Sequence, residues 1–115
     1  MITIYHNPRC IKSRQGLARL EASGKPFEVV PYMDGHLSAF ELKNLIKLLG
    51  IKPLALVRKN EKIWKEKYGG KSLTDAAIIK AMATYPGLIE RPIIVYRNKA
   101  VIGRQTEKID GLLES

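Results

Sequence analysis

A strand, a helix and a second strand fit into roughly the first 30 residues, and that order leaves the chain few ways to fold. "MITIY" alternates and is rich in β-formers, which predicts a strand. "CIKSRQGLARLEAS" carries Ile11, Leu17, Ala18 and Leu20 at near-helical spacing, with Gly24 placed to stop the helix. "PFEVVPY" is a second strand, bounded by Pro26 and Pro31. A strand–helix–strand unit this short implies two parallel strands joined by a crossover helix.

The middle of the chain is helical in pattern. Ser38 and Glu41 stand three apart, a capping-box spacing. Leu42, Leu45, Ile46 and Leu49 follow at i, i+3, i+4 and i+7, and Gly50 closes the helix. "PLALVRKNEKIWKEKYGG" predicts one or two short helical pieces broken at Gly69–Gly70. Thr74 can cap a further helix whose apolar stripe is Ile78, Ala81, Met82 and Tyr85, with Leu73 and Ile78 placed as a staple. "PIIVYR" and "AVIG" then predict a hairpin around Asn98–Lys99, and a last helix carries Ile109, Leu112 and Leu113. The order is β-α-β, a helical block, then β-β-α. With the block set aside, this is the order of a thioredoxin-like domain. The predicted fold is therefore α/β: a single domain over 1–115, with a mixed four-stranded sheet and a helical insertion at about 37–86, between the second and third strands. A stretch that long without its own structure would be unusual for a loop.

The single cysteine, Cys10, falls where the first strand gives way to the first helix, in "HNPRCIKSR". A helix N-terminus offers partial positive charge and unpaired N–H groups, which favour a thiolate over a thiol. Arg9, Lys12 and Arg14 flank it, and Ser13 is one turn on. Both effects lower a cysteine pKa, and the thiolate is the reactive form. The alternative is a small buried core residue, but a core cysteine rarely sits between an arginine and a lysine. A phosphatase-type loop would need an arginine at position 16, which is Gly16, and a dithiol motif a cysteine at position 13, which is Ser13. Whatever Cys10 forms must be resolved by another molecule. His6 and His36 with Cys10 lack the spacing of a metal site, so no metal is expected.

Composition narrows the surroundings. One cysteine allows no internal disulfide, and a reducing, cytoplasmic setting is expected. "MITIYHNPRC" has no signal-peptide pattern, and no apolar run reaches the roughly 20 residues of a membrane span. The formal charge is +9, which suits nucleic acid, a membrane surface or a small anion. No zinc-finger spacing or RNA-binding aromatic signature appears, which argues against nucleic acid.

"IYHNPRCIKSR" resembles the N-terminal motif of the glutaredoxin-coupled arsenate reductases. "LVRKNE", "ERPIIV" and "IGRQTEKI" resemble its later motifs, in family order. The resemblance implies the same thioredoxin-like fold and a mechanism. A Cys10 thiolate attacks arsenate, or a similar oxyanion, to give a covalent thio-arsenate adduct. Glutathione, a co-substrate rather than a bound cofactor, then attacks the adduct, and glutaredoxin helps release arsenite. By the same resemblance Arg58, Arg91 and Arg104 bind the oxyanion. His6, Asn7, Ser13 and Arg14 match the first motif, and Pro92 matches the proline that is cis beside the active cysteine. Guanidinium groups suit the task, because a tetrahedral oxyanion needs planar, multi-donor partners. Ile11 stands where the family usually has a small residue, and Gln105 where it usually has proline. Two other readings keep the fold: a glutathione-dependent thiol oxidoreductase with a different electrophile, and an Spx-type regulator that binds RNA polymerase. Such regulators commonly carry a C-x-x-C switch, which Ser13 removes.

Overall fold

A computed structural model describes residues 1–35 and 37–114. The elements run β1 (Ile2–Tyr5), α1 (Ile11–Ser23), β2 (Phe27–Val30), α2 (Ala39–Leu49), α3 (Lys62–Lys67), α4 (Asp75–Thr84), β3 (Ile93–Tyr96), β4 (Lys99–Ile102) and α5 (Thr106–Leu113). Single 3-10 turns lie at Tyr32–Asp34, Pro53–Leu56 and Pro86–Leu88. The chain forms two compact units, one from residues 1–36 with 91–115 and one from 37–90.

The first unit holds one sheet in the order β2-β1-β3-β4. β1 and β2 are parallel, with Ile4 beside Val29. β1 and β3 are antiparallel, with Ile4 beside Ile94, and β3 turns back antiparallel into β4. This is the mixed, thioredoxin-like sheet. Alternation along β1 sends Ile2 and Ile4 to one face. There they meet Leu20 of α1, Ile94 of β3, and Ile109 and Leu112 of α5, all buried, so both helices cover that face. Burying each such aliphatic side chain contributes about 1.5–3 kcal/mol.

Helix α1 forms where the spacing predicts, and the structure adds which residues it buries. The buried face of α1 is Ser13, Gly16 and Leu20, whereas Ile11 and Ala18 are exposed. The reason is close approach: a Cβ on Gly16 would stand 2.7 Å from Cγ of Pro92. At Gly16 the helix packs through its smallest residue, while Leu20 joins the apolar core. The hairpin turns one residue earlier than predicted. Lys99 already pairs with Tyr96 in the ladder, so Arg97 and Asn98 make the turn, with Arg97 at φ 58°. The Tyr96 ring lies 5.1 Å from the Arg97 guanidinium carbon.

In the second unit the capping box forms as the spacing predicts. Ser38 Oγ accepts from Glu41 N at 3.1 Å, and Glu41 Oε1 accepts from Ser38 N at 3.3 Å. Gly50 closes α2 in the left-handed region. Thr74 caps α4 by accepting from Ala77 N at 3.2 Å. Its buried residues are Ile78, Ile79, Ala81 and Met82, while Tyr85 falls beyond the last turn. An isolated antiparallel bridge joins Val57 to Ile89. Arg58 N donates to Leu88 O at 2.7 Å and Glu90 N to Leu56 O at 2.9 Å, so the bridge carries Arg58 on one arm and Glu90 on the other.

Candidate active site

Cys10 is the N-cap of α1. Its backbone is extended, its N–H donates to Asn7 O at 3.0 Å, and its carbonyl accepts from Arg14 N at 3.0 Å. The thiol is partly exposed. Burial alone would push its pKa up. The Ser13 N–H, the Arg91 charge, the Lys12 N–H and a hydrogen bond from Arg91 act the other way and prevail, so the thiol lies below its ordinary range. The groups that lower it are the first-turn amides of α1 and one guanidinium.

The loop that presents Cys10 is held from inside by Ser13, which is fully buried. Ser13 Oγ lies 2.7 Å from Nδ1 of buried His6 and accepts from Asn7 N at 2.9 Å. A neutral His6 accepting at Nδ1 satisfies both bonds, since the hydroxyl then donates to the ring while accepting from the amide. Burial lowers the His6 pKa. A backbone hydrogen bond with Ser13 opposes this, and the Arg14 charge adds to the lowering. His6 N is itself tied to Val30 O at 3.0 Å, which anchors the loop to β2. Asn7 Oδ1 accepts from Arg9 N at 3.0 Å, and Arg14 Nη1 donates to Pro8 O at 3.1 Å. Arg14 therefore braces the loop.

The three predicted arginines have different surroundings. Arg91 is 9% exposed, and its Nε and Nη1 are buried without a hydrogen-bond partner. The Arg91–Pro92 bond is cis. A buried guanidinium with unmet donors beside a thiol of lowered pKa suits a bound anion, because unpaired buried donors are costly. Arg104 follows β4 and lines an open depression of about 420 Å³ together with Lys12, Ile102, Gln105 and Lys108. Arg58 lies in the 37–90 unit between two carboxylates, Glu61 at 3.4 Å and Glu90 at 3.6 Å. Sequence reasoning did not single out those two glutamates or Lys108. The i, i+3 spacing of Arg58 and Glu61 was there to be read, whereas the Glu90 contact depends on the bridge.

Among the described residues, no group of three or more His, Cys, Asp or Glu could hold a metal ion. His36, weighed with His6 and Cys10 for that role, lies outside the described residues. No helix among them is long and apolar enough to cross a membrane.

The ArsC family model matches residues 5–112. The chain belongs to the ArsC family. The uncharacterized protein YfgD of Escherichia coli K12 is 43% identical over 110 residues, covering 94% of this chain and 92% of that protein. An arsenate reductase of Neisseria meningitidis serogroup A is 39% identical over 114 residues, covering 97% of each. Among solved structures, arsenate reductase from Vibrio cholerae superposes with a TM-score of 0.92 at 42% identity, covering 96% of both chains. These ArsC relatives match nearly end to end, so both units fall within the similarity.

Proposed function

We propose that this ArsC-family protein is an arsenate reductase in which Cys10 is the nucleophile and glutathione, with glutaredoxin, supplies the resolving thiol. The observation that carries the reading is Arg91. Its buried donors are unpaired, and its charge and hydrogen bond act on the Cys10 sulfur. An oxyanion brought to that sulfur would meet those donors. The names of the relatives support arsenate as the substrate.

The chemistry follows from the thiol count. The Cys10 thiolate forms a sulfur–arsenic bond, and an arsenate oxygen leaves as water after protonation. Arsenate to arsenite takes two electrons, released as two thiol sulfurs join in a disulfide. The chain has one cysteine. At least one thiol must therefore come from outside, and glutathione attacking the arsenic supplies it. Glutaredoxin then takes part in releasing arsenite and returning Cys10 to the thiol. Arg91 and Arg104 serve as oxyanion donors, with Arg58 added by the family motif. Ser13 and His6 hold the loop so that the first-turn amides face the sulfur.

The test is arsenite production from arsenate with glutathione and glutaredoxin. Wild type should turn over and Cys10→Ser should not. An active Cys10→Ser variant, or sustained turnover with thioredoxin and no glutathione, would contradict the reading.

A further inference from the structure

The depression lined by Lys12, Ile102, Arg104, Gln105 and Lys108 contributes three cations to one open space, and none of these lining residues is acidic. Lys12 connects it to the nucleophile, since its backbone N–H acts on the Cys10 sulfur and the residue lines the depression. Lys12 is in the first turn of α1 and Gln105 caps α5, so two helix N-termini border the same space and add partial positive charge. At about 420 Å³ the depression is several times larger than a four-oxygen anion needs. Its lysines are point charges on flexible stems, suited to an exposed carboxylate more than to planar, bidentate capture. Ile102 gives it an apolar wall.

We infer that this depression seats the carboxylate end of the thiol that resolves Cys10, with Lys12 and Lys108 as the residues that hold it. The inference rests on the proposed function, which makes Cys10 a nucleophile resolved by glutathione. The step it serves is attack of the donor thiol on the arsenic of the Cys10 adduct. A second sulfur–arsenic bond forms, an arsenic–oxygen bond breaks, and the oxygen leaves as water with the thiol proton. Lys12 stands two residues after Cys10, so a carboxylate moored there keeps the donor thiol beside the loop that carries the nucleophile.

The experiment uses S-methylglutathione, which keeps both carboxylates and has no free thiol, titrated into the isotope-labelled protein and followed by amide shifts. Saturable shifts centred on residues 102–108 are expected. Exposed ion pairs contribute modestly, so Lys12→Ala and Lys108→Ala should each raise the apparent Kd about threefold, and the double variant about tenfold. Added salt should weaken binding to wild type. The diethyl ester of the same compound, which lacks the carboxylates, should bind wild type and the double variant equally weakly. In turnover the double variant should raise the KM for glutathione and leave the KM for arsenate unchanged. An unchanged Kd in the double variant would overturn the inference. So would a rise in the KM for arsenate alone, which would make Lys12 and Lys108 holders of the inorganic anion beside Arg104. The titration needs no arsenate. Lysine-dependent binding by a protein that fails to reduce arsenate would sustain this site and refute the proposed function.

Discussion

The lowered pKa of Cys10 rests on three nearby groups: the Ser13 and Lys12 amides and the Arg91 guanidinium. The lowered thiol pKa predicts that alkylation of Cys10 rises with pH around a midpoint below that of a free cysteine measured alongside. Removing Arg91 removes a charge and a hydrogen bond that favour the thiolate. Arg91→Ala should therefore move the midpoint upward and slow alkylation at neutral pH. A midpoint unchanged by Arg91→Ala would leave the helix amides as the whole cause. The arginines make a second prediction. Replacing Arg58, Arg91 or Arg104 with lysine keeps a charge but loses the planar fork, and losing one such donor commonly costs about 100-fold to 1000-fold in rate. Arg19→Lys and Arg97→Lys should cost little, since Arg19 pairs with Asp110 and Arg97 sits in the hairpin turn. Equal, mild losses in arsenite production at all five positions would mean that net charge merely attracts anions. Cys10 and its first-turn donors were legible in the sequence, because strand end, helix start and thiol coincide. The Ser13–His6 bond was not, because it joins residues seven apart across a loop whose path the sequence does not fix.

Helix α1 shows what periodicity can and cannot say. Its near-helical spacing predicted a helix without saying which residues it buries, and the helix packs through Ser13, Gly16 and Leu20 while Ile11 and Ala18 are exposed. Apolar periodicity finds a face where large side chains fill space. It misses one where the backbone must come close to a proline ring. Two helical glycines turn this into a matched test. Gly16→Ala puts a Cβ 2.7 Å from Pro92 Cγ, and overpacking of that kind costs about 1–3 kcal/mol. Gly111, in α5, has nothing within 4 Å of an added Cβ, so Gly111→Ala should stabilise by about 0.4–1 kcal/mol. Denaturant unfolding of the two variants should show opposite signs. Stabilisation by Gly16→Ala would show that Pro92 does not set the helix position. The capping box of α2 was read correctly because its partners are three residues apart and need no tertiary information.

At the scale of the whole chain, the local pairings were legible and the distant one was not. The crossover helix implied that β1 and β2 are parallel, and a short turn implied the β3–β4 hairpin. The antiparallel contact of β1 with β3 joins Ile4 to Ile94 across the intervening helices, and no local pattern specifies it. It entered only through the likeness of element order to a thioredoxin-like domain. That pairing matters for function because it sets Arg91, just before β3, beside the loop that follows β1. Covalent attack of Cys10 on arsenate, as proposed, is tested by protection of that thiol. Protein is incubated with arsenate and glutathione without glutaredoxin, then treated with an alkylating reagent and analysed by intact mass. An arsenate-dependent loss of alkylation at Cys10 is expected, reversed when glutaredoxin is added. Full alkylation of Cys10 regardless of arsenate would contradict the proposed attack.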